Sequence, residues 1–215
     1  METATTCEHS TKTFLHVGCG ENDLSRTTPG FIAGNWTEVR FDIDGSVSPD
    51  LIGSMTDMTE VDSEQYDALF SSHNIEHLYF HEVPVALKEF HRVLKAEGFA
   101  VITCPDIQSV CAHVLDGRLI DPVYQSPAGP ISPIDIMFGF RRSIADGNEF
   151  MAHKTAFTRS LLVNRIKAAG FSNVVSIKRG HPFYDIWALA VKSPASPETM
   201  TDYAKAHFPS GVEDR

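Results

Sequence analysis

A chain of 215 residues with a formal net charge of -10, 42% hydrophobic and 21% charged, is long enough for one domain with a complete core and short for two. Its acidic balance excludes general attraction to phosphates as the route to a partner, so no nucleic-acid partner is expected. No apolar run reaches the roughly 18 residues of a membrane span, and polar residues 1–12 lack the apolar centre of a secretion signal, so a cytoplasmic protein without membrane contact is expected.

In chain order, residues 1–12 read as a flexible N-terminal arm. Residues 14–17 form an apolar run ending in Gly18-Cys19-Gly20, and residues 38–43 form a second, carrying Asp42 near its end. Glycines let the backbone turn with positive φ and bring amides close to a ligand, while a carboxylate about twenty residues on can accept ribose hydroxyls. This is the spacing of a nucleotide-binding βαβ start. The competing readings are an ordinary strand-to-helix turn at the glycines and a turn cap at Asp42, since Asp44-Gly45 follows. Glu21 and Asp23 stand where a pyrophosphate would want positive potential, and Asn22 replaces a third glycine, which favours a cofactor with a cationic end over NAD.

Residues 68–71 read as a third or fourth strand. Over residues 83–96, Val83, Ala86, Leu87, Phe90, Val93 and Leu94 recur at helical spacing, with Gly98 as the stop. Residues 99–104 are an unbroken apolar strand halted by Pro105, the pattern of a sheet covered on both faces. Residues 158–169 fit a helix stopped by Gly170. Residues 174–178 and 186–191 are strands whose link is too short for a helical crossover, so they should pair antiparallel. The fold class is α/β: a doubly wound, mostly parallel sheet with an antiparallel last strand.

Residues 13–192 are expected to form one domain, and residues 193–215 a tail that leaves the core, with a short surface helix over 198–207. Residues 107–153 break the alternation with Pro122, Pro127, Pro130 and Pro133, yet hold Tyr124, Met137, Phe138 and Phe140. That is too much apolar material for a disordered linker, and it reads as an inserted cap over the carboxyl ends of the strands. Four cysteines, Cys7, Cys19, Cys104 and Cys111, make no C-x-x-C pair, which fits a reduced compartment; Cys19 and Cys104 sit in apolar runs as small hydrophobes.

His73-Asn74-Ile75-Glu76-His77 matches the inverted zincin pattern H-x-x-E-H. That motif needs a long helix and a further ligand. Here it follows a buried strand and opens a helix, so packing and hydrogen bonding behind a cofactor is the expected role, and no metal is expected.

The runs Leu15 to Gly20, Asp42, Tyr66-Asp67-Ala68-Leu69-Phe70-Ser71-Ser72-His73-Asn74-Ile75-Glu76-His77-Leu78, Ala86 to Gly98 and Cys104-Pro105-Asp106 together resemble the class I S-adenosylmethionine-dependent methyltransferases, of the small type 11-like family. With the stretch Leu161 to Phe171, the resemblance covers residues 13–106 and 153–192 in the right order. It implies a seven-stranded Rossmann-like methyltransferase sheet and S-adenosylmethionine as cofactor. It also implies that Gly18 and Gly20 hold the methionine end, Asp42 the ribose, Ile43 the adenine face and Ser54-Met55 the adenine edge, with Ser71 to His73 lining the floor near the sulfonium. The chain departs from the pattern at His16, where an acid is usual, at Asn22 for the third glycine, and at Ser54 for an acid, with Asp57 nearby.

The cofactor carries the reactivity in methyl transfer, and the protein aligns nucleophile and methyl. His153, Tyr124 and Asp106 are candidate bases, none of them assigned. The expected function is methyl transfer to an oxygen or nitrogen nucleophile of a small molecule or glycan. The alternative is a catalytically degenerate cofactor- or nucleoside-binding module on the same fold. The acceptor and the oligomeric state carry no motif.

Overall fold

The computed structural model describes residues 11–210; residues 1–10, with most of the expected arm and Cys7, lie outside them. Strand β1 (Lys12–Val17) starts within the expected arm, where Lys12 pairs with Trp36. Strands β2 (Trp36–Asp42), β3 (Leu51–Ile52), β4 (Tyr66–Ser72), β5 (Leu94–Pro105), β8 (Asn173–Arg179) and β9 (Asp185–Val191) complete a seven-stranded sheet of order β3-β2-β1-β4-β5-β9-β8. All its pairings are parallel except those of β9, which runs antiparallel to β5 and β8. The mostly parallel sheet and the antiparallel last strand agree with the expectation.

Parallel strands put their carboxyl ends on one edge. Gly18 follows β1, Asp42 ends β2, His73 follows β4 and Pro105 ends β5. The chain leaves β1 for β2 on one side and returns as β4 on the other, so a crevice opens above β1 and β4 where the winding reverses. Antiparallel β9 starts on this edge, with Asp185 opposite Pro105.

Alternation along the strands fills both faces. Leu15, Val17, Leu69, Ala100 and Ile102 point to a core shared with helices α2 (Val83–Val93) and α6 (Arg159–Ala168). Phe14, Ala68, Phe70 and Val101 point the other way, toward Phe31 of helix α1 (Pro29–Ala33) and Met200 of helix α7 (Pro197–His207). Helix α2 buries Val83, Ala86, Leu87, Phe90 and Val93 on one stripe; truncating Phe90 to Ala would cost about 3–5 kcal/mol.

Two further points differ from the reading of the sequence. Helix α2 stops at Val93, three residues before the expected end, because Leu94 pairs with Tyr66 and begins β5. Leu94 satisfies the helical stripe and the ladder alike, so periodicity alone overshoots. The tail does not leave the core: Ser196 caps α7 through Thr199 N–H, Met200 and His207 are buried, and His207 Nδ1 lies 2.6 Å from Thr28 Oγ1.

The segment after β5 is folded. It holds helix α3 (Ile107–Leu115), a hairpin of β6 (Tyr124–Ser126) and β7 (Gly129–Ile131), and helices α4 (Pro133–Phe138) and α5 (Arg141–Ala145). Val110, Ile131, Ile136 and Tyr184 form its own small core. Asp135 clamps it at 4% side-chain exposure, accepting from Ser132 N–H and hydroxyl and from Arg141 Nε at 2.7 Å. Its return is fixed by backbone: Lys154 and Thr155 N–H both donate to the Glu76 carbonyl. Gly139, at φ +96, has no room for a side chain, since a Cβ would stand 1.9 Å from the Met151 carbonyl oxygen.

Candidate active site

Two cavities lie side by side on the carboxyl edge. The larger, about 340 Å³, is lined by Gly18, Gly20, Asp42, Ile43, Ser54, Met55 and His73, along with Asn148, Phe150 and Met151 from the inserted segment. The smaller, about 160 Å³, is walled by Tyr124, Asp135, Ile136, Phe140 and His153 of that segment and by Phe183 and Tyr184 of the β8–β9 link. His73, His77 and Met151 line both. Of the eight residues expected at a cofactor, seven therefore meet in one cavity. Ser71 does not: it is fully buried, and its hydroxyl lies 3.4 Å from the Asn74 amide nitrogen.

The turn after β1 is built for close approach. Gly18 adopts φ +66, and a Cβ there would lie 2.0 Å from the Asn74 amide nitrogen, so only glycine lets Asn74 close over the turn. Gly20 N–H donates to Asp42 Oδ2 at 2.8 Å and Asp44 N–H donates to Oδ1 at 2.9 Å. Each carboxylate oxygen keeps a second lone pair, so Asp42, held in place by two amides, can still accept two hydroxyls. Arg40, two residues back on the same face, donates to the carbonyls of Gly20 at 2.6 Å, Asn22 at 3.1 Å and Ser48 at 2.9 Å. It ties the glycine turn to the loop after β2.

The acids that steered the sequence reading are elsewhere. Glu21 is exposed, and Asp23 caps the turn Leu24–Arg26 through Ser25. The negative groups that line the cavity are Asp42, Asp44 and Glu82. His16 is 3% exposed on the opposite face of the sheet, with Nδ1 2.6 Å from Glu38 Oε1, so its departure from the usual acid does not alter the cavity wall. Ser54 Oγ bonds Thr56 and takes no part with Asp57, whose N–H donates to the Ser54 carbonyl.

The junction of the cavities concentrates charge. His73, at φ +50, has Nδ1 3.6 Å from Glu76 Oε1 and Nε2 3.8 Å from Asp185 Oδ2. Burial opposes its charge, but Asp185 and Glu76 outweigh it and raise the imidazole to about 9. Asp185 is held by Arg179, whose Nε donates to Oδ1 at 2.7 Å, and by Trp187 Nε1–H at 3.1 Å. Burial would raise the Asp185 carboxyl, yet Arg179 and His73 hold it below its ordinary value.

Glu76 sits differently from its expected packing role. It is 1% exposed, and neither carboxylate oxygen has a hydrogen-bond partner. No long helix carries it, only the turn Ile75–His77, which removes the inverted zincin scaffold. Of the three candidate bases, Tyr124 and His153 line the smaller cavity, whereas buried Asp106 caps α3 through Gln108 N–H and Ser109 and faces Lys178 at 3.4 Å. Cys19 and Cys104 are buried thiols, both with pKa values raised, first by burial. Among the described residues no helix is long and apolar enough to cross a membrane.

The doubly wound sheet, its antiparallel last strand and the glycine turn facing Asp42 are the arrangement of the class I S-adenosylmethionine-dependent methyltransferases, transferases whose cofactor is S-adenosylmethionine. Residues 15–102, from β1 through most of β5, match the family model described as a methyltransferase domain. Solved structures share the fold at low identity. A Pyrococcus horikoshii protein, PH0226, is 14% identical with TM-score 0.57, the match covering 84% of this chain and 81% of that one. A Burkholderia thailandensis 1,6-didemethyltoxoflavin-N1-methyltransferase with bound S-adenosylhomocysteine is 14% identical with TM-score 0.51, covering 85% and 72%. A Bordetella parapertussis protein described as a possible exported protein is 16% identical with TM-score 0.51, covering 86% of this chain but only 62% of its own. No significant match occurs among curated protein sequences.

Proposed function

We propose that this chain transfers the methyl group of S-adenosylmethionine to an oxygen or nitrogen of a small molecule or of a glycan end, held in the smaller cavity. The observation that carries the reading is the contact between the two cavities through His73, His77 and Met151. A methyl donor in the first and a nucleophile in the second would meet there, and alignment supplies much of the rate in such a displacement.

The larger cavity fits the cofactor on its own residues. The turn at Gly18 and Gly20 leaves backbone where a side chain would stand, Asp42 offers lone pairs to a ribose, and Ile43 and Met55 offer apolar surface to a base. When bound, the cofactor supplies the activated methyl. The inserted segment over residues 107–153 closes the acceptor side and excludes water through Phe140, Phe150 and Met151. A volume of about 160 Å³ admits a small nucleophile or one terminal group, not a folded macromolecule, and the acidic chain does not favour nucleic acid. The free thiols of Cys19, Cys104 and Cys111 accord with a cytoplasmic setting. The Burkholderia thailandensis neighbour, an N1-methyltransferase with bound 1,6-didemethyltoxoflavin, supports the substrate class.

The test incubates the protein with methyl-labelled cofactor and a cell extract divided by size. Label entering the low-molecular-mass fraction or released glycans supports the reading. Label confined to RNA or protein, or cofactor binding without transfer to any fraction, overturns it, the latter in favour of a degenerate binding module.

A further inference from the structure

We propose that Glu76, His77 and His153 form a binding site for one divalent transition-metal ion, of the zinc class, on the wall of the smaller cavity. One ligand atom from each of the three lies within 4.8 Å of the others. All three side chains line that cavity. The set joins neighbours in the sequence to a residue of the inserted segment, and the backbone makes the meeting: Lys154 and Thr155 N–H both donate to the Glu76 carbonyl, which lays His153 beside His77. The rings stand 4.9 Å apart between centroids.

The protonation chemistry of the three suits an ion. His77 Nδ1 is 3.1 Å from the Ala152 carbonyl and His153 Nδ1 is 2.9 Å from the Ile136 carbonyl. A carbonyl only accepts, so each Nδ1 carries the hydrogen and each Nε2 keeps a lone pair. Ring nitrogens fixed in this way are the usual outer support of metal-binding imidazoles.

Glu76 is the independent observation. Both its oxygens are buried without a hydrogen-bond partner, and the nearest cation is His73 at 3.6 Å. A buried carboxylate left so is costly, by several kcal/mol, unless an opposite charge compensates it. His73 stands between Glu76 and Asp185 and makes no hydrogen bond to either Glu76 oxygen, whereas an ion between the three groups would coordinate the carboxylate directly.

Two imidazoles and one carboxylate are a ligand set of zinc and related ions, with bonds of about 2.0–2.2 Å and a position left open. A tetrahedral ion holds its ligand atoms roughly 3.4 Å apart. The three ligand atoms, all within 4.8 Å of one another, admit that arrangement. The open position would face the smaller cavity, where it would take an oxygen or nitrogen donor of the acceptor; that last role rests on the proposed function, and the ion site itself does not.

The experiment uses the full chain, stripped with chelator, returned to metal-free buffer and titrated with Zn²⁺ by calorimetry and with Co²⁺ by visible absorption. One ion per chain is expected, with Co²⁺ bands of nitrogen and oxygen ligation and no thiolate charge-transfer band. Glu76→Gln and His153→Gln should each weaken binding at least about tenfold, while His113→Gln, which changes a histidine outside the set, should bind as the parent does. Absence of stoichiometric binding, a thiolate band, or unchanged affinity in the two variants would overturn the site. If a variant fails to fold, the parent's Co²⁺ spectrum decides alone. S-adenosylhomocysteine is titrated in parallel: cofactor binding without ion binding rejects only the metal, and the reverse rejects only the cofactor reading.

Discussion

The floor and the roof of the site are made by opposite means. The floor, from Gly18 to Asp42, joins residues at the ends of adjacent parallel strands, with Gly20 N–H on the Asp42 carboxylate. The roof joins residues far apart in the chain: His77 with His153, and Asp135, Tyr124 and Tyr184 around one small cavity. Strand pairing sets the floor in register before any side chain is placed. The roof depends on a segment with its own small core, clamped by Asp135 and returned to Glu76 by two backbone bonds. The family match over residues 15–102 spans the floor and ends before the roof begins.

The comparison makes separable predictions. The largest effect belongs to the floor. Asp42→Ala removes two charge-assisted acceptors, each worth about 1.5–3 kcal/mol. The dissociation constant for S-adenosylhomocysteine should rise at least about a hundredfold by calorimetry; a change under threefold would detach Asp42 from the ribose. Gly18→Ala comes next. It forces a Cβ against Asn74 at φ +66, a strain of about 1–3 kcal/mol, so both the urea midpoint and the cofactor affinity should fall. Unaltered values in that variant would mean Asn74 is free to move.

Roof changes should leave the cofactor alone. Tyr124→Phe removes one hydroxyl from the smaller cavity, worth about 0.5–1.5 kcal/mol, so the acceptor KM should rise about threefold to tenfold with S-adenosylhomocysteine affinity unchanged. Weaker cofactor binding in this variant would merge the two regions into one. The smallest effect is a difference in acid sensitivity. Burial lowers the pKa of His207, beneath the floor, from 6.5 to about 4. The unfolded chain then binds the extra proton, so stability from this group is complete above pH 6.5 and is lost as pH falls toward 4. Asp135 of the roof is pushed up by burial but pulled further down, to about 2, by Arg141 and Ser132. Its contribution is present above 3.8 and lost only as pH falls through about 2. Hydrogen exchange between pH 6.5 and 4 should therefore accelerate in α7 before α4, and the opposite order would contradict the assignment.

How far the sequence could be read follows the same division. Gly18, Gly20 and Asp42 stand at the ends of apolar runs, so their positions on the sheet edge were legible from spacing. The parallel sheet and antiparallel β9 were legible too, because an unbroken run such as residues 99–104 needs cover on both faces and the β8–β9 link is too short to cross over. Asn74 and Arg40 were not legible, since each acts through a partner in another loop: Gly18 for Asn74, and the carbonyls of Gly20 and Ser48 for Arg40. Ser71 was misplaced because alternation decides the face of a strand but not what covers it, and Asn74 covers it. The return of α7 was hidden by Pro194 and Pro197, which read as an exit although Met200, Tyr203 and Phe208 pack on the second face of the sheet. The meeting of Glu76, His77 and His153 had no local signal, because one of the three comes from the inserted segment.

The division of labour between floor and roof is tested most directly by a crystal structure of the chain with S-adenosylhomocysteine and no acceptor. The account predicts the ribose hydroxyls within about 3.2 Å of the Asp42 carboxylate, the base against Ile43 and Met55, and the sulfur turned toward His73 and His77, with the smaller cavity free of cofactor atoms. Cofactor density in the smaller cavity, or a ribose held away from Asp42, would contradict it.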